Sequence, residues 1–91
     1  MSRTIKHNAQ RQRFEWTENN VLCVLDYDLG DGVLTITHTG VPESVGGRGI
    51  AADLTKYALE TARAEGWVVR PICSYAAAYI RRHPEYQDLV A

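Results

Sequence analysis

Val45-Gly46-Gly47-Arg48-Gly49-Ile50-Ala51-Ala52 is the stretch whose reading decides the fold of this chain. A β-like run, Val33 to Thr39, precedes it, and Asp53 to Glu65 follows as an amphipathic helix. A glycine-rich turn that opens a helix presents free backbone N–H groups at the positive end of the helix dipole, so it can cradle phosphate oxygens. Three glycines let that backbone approach a ligand without Cβ clashes. The same residues also suit a plain strand-to-helix turn whose glycines only set φ angles. Neighbouring residues have to separate the two readings.

Composition narrows the field. A chain of 91 residues, 45% hydrophobic and 23% charged, reads as one globular domain with a modest core. A net charge of −1, with no basic stripe interleaved with aromatics, gives no case for nucleic-acid or membrane partners. No apolar run reaches membrane-span length and no secretory leader is evident, so the expected setting is cytoplasmic. Two cysteines, Cys23 and Cys73, make neither a disulfide framework nor a metal-site spacing, and no metal is expected.

Working outward, Met1 to Gln10 is polar and lacks periodicity, which predicts a frayed tail. Arg11 to Trp16 alternates and places Phe14 and Trp16 on one strand face. Thr17-Glu18-Asn19-Asn20 reads as a turn, Val21 to Tyr27 as a second strand, and Leu29-Gly30-Asp31-Gly32 as a hairpin turn. In Val33 to Thr39 the alternation puts Leu34, Ile36 and His38 on one face. The helix from Ala51 to about Glu65 lines up Ile50, Leu54, Ala58 and Ala62, with Gly66 as its C-cap. Trp67 to Ile72 is a fourth strand. Pro71 cannot donate to a ladder, so this strand lies at an edge or splays there, which disfavours a strand-to-strand dimer. Ser74 caps a last helix, Tyr75 to Arg82, which His83-Pro84 stops, and Pro84 to Asp88 forms one more turn. The order β-β-β-α-β-α predicts an α/β (α+β) fold with helices on a mainly antiparallel sheet.

Four blocks now stand in order: His38-Thr39-Gly40-Val41-Pro42, Gly47-Arg48-Gly49-Ile50-Ala51, Pro71-Ile72-Cys73-Ser74-Tyr75 and Tyr79-Ile80-Arg81-Arg82-His83-Pro84-Glu85-Tyr86. Together, from about Phe14 to Val90, the chain resembles the small single-domain, YjdJ-type branch of the GNAT superfamily of N-acetyltransferases. The resemblance implies a minimal acyl-CoA N-acyltransferase fold that uses acetyl-CoA as co-substrate and an unidentified amine as acceptor. It implies that Val45, Gly46, Gly47, Arg48, Gly49, Ile50 and Ala51 hold the pyrophosphate, with Val41, Ser74 and Tyr79 also at the cofactor. The superfamily's loop usually reads Gln/Arg-x-x-Gly-x-Gly/Ala; here Gly46 takes the first position, and Arg48 is the nearby charge. The tyrosine that larger relatives carry on the last helix corresponds to Ile80, and an asparagine that often begins that segment corresponds to Cys73. Their extra N-terminal helices, which shape the acceptor pocket, have no counterpart in this length.

The candidate chemistry rests on few side chains. Cys73 ends a strand and precedes a helix N-terminus, a position that favours thiolate; it is a nucleophile candidate or a small buried hydrophobe. His38 is a general base for the amine or for Cys73, or a packed histidine satisfied by a carbonyl. Cys23 belongs to the core, His7 to the tail, and His83 to the cations at a helix end. Glu43 is a solvated loop carboxylate and a fallback base. Arg81 and Arg82 diverge by ~100°, so at most one meets a phosphate. Tyr75 and Tyr79 share a helix face. An acetyltransferase is the expectation, and a CoA-binding or protein-interaction module without turnover is the alternative.

Overall fold

The computed structural model of the chain describes residues 3–91. Its sheet has five strands, laid side by side in chain order: β1 (Lys6–Asn8), β2 (Arg13–Glu18), β3 (Val21–Gly30), β4 (Val33–Gly40) and β5 (Val68–Pro71). The first four pair antiparallel, and β5 joins β4 in parallel. Helix α1 (Ile50–Glu65) makes the crossover from β4 to β5. Helix α2 (Ser74–Arg82) follows β5, and the 3-10 segment Pro84–Leu89 follows α2. This is the mixed α/β architecture that the element order predicts, with one strand more.

Two tight hairpins set the registers. Asn19 (φ 50°) and Asn20 (φ 65°) turn β2 into β3, and Asp31 (φ 53°) and Gly32 (φ 77°) turn β3 into β4. Left-handed pairs of this kind match the right-handed twist of the flanking strands. The four-residue turns expected at Thr17–Asn20 and Leu29–Gly32 therefore shrink to two residues, and the strands take up the remainder.

The extra strand comes from the segment expected to fray. β1 pairs with β2 in the register Lys6↔Glu15, His7↔Phe14, Asn8↔Arg13. Ile5 is buried beside it. His7 stacks on Phe14 with ring centroids 4.2 Å apart, and its Nε2 lies 2.6 Å from the Tyr27 hydroxyl. An imidazole here fills the place of an apolar residue, so hydropathy alone gives no strand signal.

Helix α1 buries the expected Ile50, Leu54, Ala58 and Ala62, together with Thr55 and Leu59. They form one core with Phe14, Leu25, Leu34 and Ile36 of the sheet. Leu54 and Leu59 are wholly enclosed, and burying each contributes about 2–3 kcal/mol at most. The buried Thr55 hydroxyl is satisfied by donating to the Ala51 carbonyl at 2.8 Å. Gly66, at φ 75°, caps the helix end as expected, and its N–H reaches the carbonyls of Ala62 and Arg63. Ala76 and Ile80 of α2, then Tyr86 and Leu89, extend the core. Val69 makes an isolated parallel bridge with Val90, and the Ala91 N–H donates to the Val69 carbonyl at 2.9 Å. Among the described residues, no helix is long and apolar enough to cross a membrane.

One irregularity shapes the site. Tyr27 pairs with Ile36 but Asp26 pairs with His38, so Thr37 is an extra residue in β4. Such a bulge reverses which face the following side chains take. Leu34 and Ile36 point into the core, His38 is exposed, and Thr39 faces the fully buried Leu25. The expected face shared by Leu34, Ile36 and His38 is thus corrected: the alternation breaks at Thr37.

Candidate functional site

β4 runs on to Gly40, but its pairing with β5 ends at Ile36↔Pro71. The N–H groups of Ile72 and Cys73 both donate to the Ile36 carbonyl, at 3.1 and 2.9 Å, and the chain then turns into α2. A notch opens where β4 continues alone, and Cys73 stands at its head. Cys73, not Ser74, is the N-cap of α2, with φ −62° and ψ 127°. Ser74 is the exposed first helical residue.

The Cys73 sulfur lies 3.4 Å from the Thr39 hydroxyl oxygen. It makes no side-chain capping bond, but the backbone N–H groups of Ala76 and Tyr75, in the first turn of α2, and of Thr39 are near enough to favour its thiolate. Burial pushes the thiol pKa up. The Thr39 hydroxyl and these N–H groups outweigh burial, and the pKa lies below its ordinary value. Cys23 shows the opposite balance: it is fully enclosed in mid-strand, burial raises its pKa, and it is a core residue as expected.

Beside the notch runs a groove of about 300 Å³, lined by Val41, Gly46, Gly47, Gly49, Ile50, Ala51, Ala52 and Tyr75. Gly49 is the N-cap of α1 at φ 80°, and it has no side chain with which to cap. The first intrahelical bond runs from Asp53 N–H to Gly49 C=O, which leaves the N–H groups of Ile50, Ala51 and Ala52 without an acceptor in the helix. Gly47 is also left-handed, at φ 75°, and nothing stands within 4 Å of a Cβ placed on Gly47 or Gly49. The chain meets the groove as bare backbone with orphan donors, which suits an anionic group. Gly46 is different: its N–H is committed to the Glu43 carbonyl at 3.0 Å.

Of the expected cofactor residues, Val41, Gly46, Gly47, Gly49, Ile50 and Ala51 line the groove. Val45 and Ile50 are buried members of the core, so they support the loop from beneath. The Arg48 guanidinium turns away, donating to a Glu18 carboxylate oxygen at 3.1 Å. Tyr79 lines a second depression along α2 with Ala52, Tyr75, Ala78, Arg82 and His83. That depression adjoins the first groove, the two having Ala52 and Tyr75 in common. The Tyr79 ring stacks on His83 with centroids 3.9 Å apart, and burial raises the pKa of its phenol. His83 does more than end the helix: its Nδ1 lies 2.8 Å from the Tyr79 carbonyl oxygen. His38 stands on the exposed face, and the residue beside the sulfur is Thr39.

Two residues near the site carry no signal in the sequence. Thr39 is one, because nothing in Thr35-Ile36-Thr37-His38-Thr39 marks where a bulge falls. Arg3 is the other. Its guanidinium donates to Asp53 in the first turn of α1, and to the Arg48 carbonyl at 2.8 Å. Its Nε lies 3.9 Å from Glu18, and its head sits over the Trp16 ring.

A minimal sheet notched between β4 and β5, with bare amides at the start of the crossover helix, defines a small acyltransferase-like fold. The chain belongs to the family described as GCN5-related N-acetyl-transferase, whose profile matches residues 13–89. It is 33% identical to Protein NATD1 of Mus musculus over 88 residues, covering 93% of this chain and 80% of that protein. The Homo sapiens protein of the same name is 32% identical, with 93% and 78% covered. The NMR solution structure of a GCN5-like protein from Staphylococcus aureus superposes with a TM-score of 0.76 at 30% identity. That match covers 97% of this chain and 87% of the other.

Proposed function

We propose that the protein binds acetyl-CoA and transfers its acetyl group to an amine, through Cys73. The observation that carries this reading is the position of Cys73, at the N-cap of α2 with its sulfur 3.4 Å from the Thr39 hydroxyl and two residues before the Tyr75 that lines the amide-rich groove. The N–H groups of Gly47, Gly49, Ile50, Ala51 and Ala52 would take the diphosphate, and Val41, Tyr75 and Tyr79 would wall the cofactor, with Ser74 at the head of α2. Bound acetyl-CoA supplies an activated acyl thioester. The Cys73 thiolate would form a bond to the acetyl carbonyl carbon as the bond from that carbon to the coenzyme's sulfur breaks, the departing sulfur taking a proton from solvent. The Thr39 N–H, near the Cys73 sulfur, would stabilise the oxyanion of such a step. An amine then takes the acetyl group, Cys73 returns to thiolate, and the amine's proton passes to solvent or to His38 on the exposed face. Direct attack of the amine, with His38 as base, is the competing route.

Calorimetry with coenzyme A, followed by release of free thiol from acetyl-CoA in the presence of an amine panel, tests the reading. Acceptor-dependent release that Cys73→Ala abolishes supports it. Coenzyme A binding without release identifies a CoA-binding module that does not turn over. Absence of binding at millimolar coenzyme A removes the reading altogether. Full release from Cys73→Ala leaves the direct route.

A further inference from the structure

We infer that Arg3 is a positioning residue for the diphosphate site, and that the N-terminal segment is therefore part of the cofactor machinery; this rests on the acetyl-CoA reading above. The loop that would hold the diphosphate contains Gly46, Gly47 and Gly49, so its own backbone is soft, and its helix has no side-chain cap. Something outside it must fix the direction of its amides. Arg3 stands behind the loop, in a neighbouring cleft with Ile5, Asp53, Lys56 and Tyr57, and is not part of the groove wall. It holds the Arg48 carbonyl at 2.8 Å. The C=O and N–H of one trans peptide point in opposite directions. Anchoring the Arg48 carbonyl on Arg3 therefore turns the Gly49 N–H away from Arg3, and Gly49 lines the groove.

The same guanidinium answers an electrostatic difficulty. Asp53 lies in the first turn of α1, beside the orphan amides, where its charge would repel a bound anion. Arg3 pairs with it, while Glu18 takes up Arg48 at 3.1 Å and lies 3.9 Å from Arg3. Two cations and two carboxylates thus close a neutral network behind the loop. The orphan amides are left as the electropositive feature in front.

NMR titrations of the full chain with coenzyme A and with pantetheine, which lacks the diphosphate, test this. Arg3→Ala should weaken coenzyme A about tenfold while pantetheine affinity moves less than about twofold. Asp53→Asn should bind coenzyme A at least as tightly as the wild type, and the double variant should recover part of the loss. Arg3→Lys keeps the charge without the fork and should fall between, which keeps the test open if Arg3→Ala is poorly folded. Equal losses for both ligands, or none for coenzyme A, would overturn the assignment. Failure of the wild type to bind coenzyme A would instead sink the acetyl-CoA reading on which it rests.

Discussion

The Thr39 hydroxyl stands 3.4 Å from the Cys73 sulfur, and it does so because one extra residue in β4 turns Thr39 inward in place of His38. Strand irregularity, helix dipole and thiol chemistry meet in that contact. Without Thr37 as the odd residue, a histidine would face the notch.

Replacing Thr39 by Val keeps the shape and removes the hydroxyl. The Cys73 pKa, held low in part by that hydroxyl, should rise toward its ordinary value. Less thiolate then exists at neutral pH, and a one-unit rise slows alkylation about tenfold. Iodoacetamide rates across pH 6 to 10 on a Cys23→Ala background measure the shift, and an unchanged midpoint would deny the hydroxyl its role.

His38 and Cys73 should separate cleanly in kinetics. His38 is exposed, so water can replace it as a proton acceptor, and His38→Ala should reduce acetyl transfer less than about tenfold. Cys73→Ala, which removes the proposed nucleophile, should reduce it more than about a hundredfold. Initial rates of thiol release with one active amine give both numbers. The reverse ranking would favour the direct route.

Gly49→Ala tests the loop. At φ 80° an L-residue is strained by about 1–2 kcal/mol even though open space surrounds its Cβ. Unfolding free energy should fall by that amount in denaturant titrations. Coenzyme A affinity should fall further than the stability loss accounts for, because the new methyl stands against the orphan amides.

Stability should depend on pH through His7. Burial lowers its pKa below the ordinary 6.5, with the Glu65 charge opposing the shift. The folded state therefore favours the neutral ring, so this contribution is complete above pH 6.5 and is lost as pH falls through the lowered value. His7→Gln, which can still bond Tyr27 but does not titrate, should flatten the thermal midpoint over that window. The acid loss below pH 4.5 remains in the variant, because Glu15, whose pKa the Arg13 hydrogen bond holds low, still has to protonate.

Much of the architecture is legible in the residues. Asp31-Gly32 and Asn19-Asn20 announce hairpins, Gly66 announces a helix end, and the stripe Ile50, Leu54, Ala58, Ala62 announces a buried face. These signals are local, and local geometry enforces them. The bulge at Thr37 is not legible, because it depends on how β4 meets β3 and where β5 departs. β1 is hidden for a different reason: its anchors are a histidine stacked on Phe14 and an arginine reaching residues 45 and 50 positions away. At the site, Cys73 before a helix is readable as a position. The N–H groups that favour its thiolate require the fold.

The short bridge from Val90 and Ala91 onto Val69 has a consequence for handling the molecule. It occupies the outer flank of β5, where bare strand edges otherwise recruit neighbouring chains. Shaving those two residues, or fusing a bulky tag directly behind them, would unlatch that flank and invite self-association, with light scattering as the alarm. Affinity tags on this molecule are best carried on a spacer.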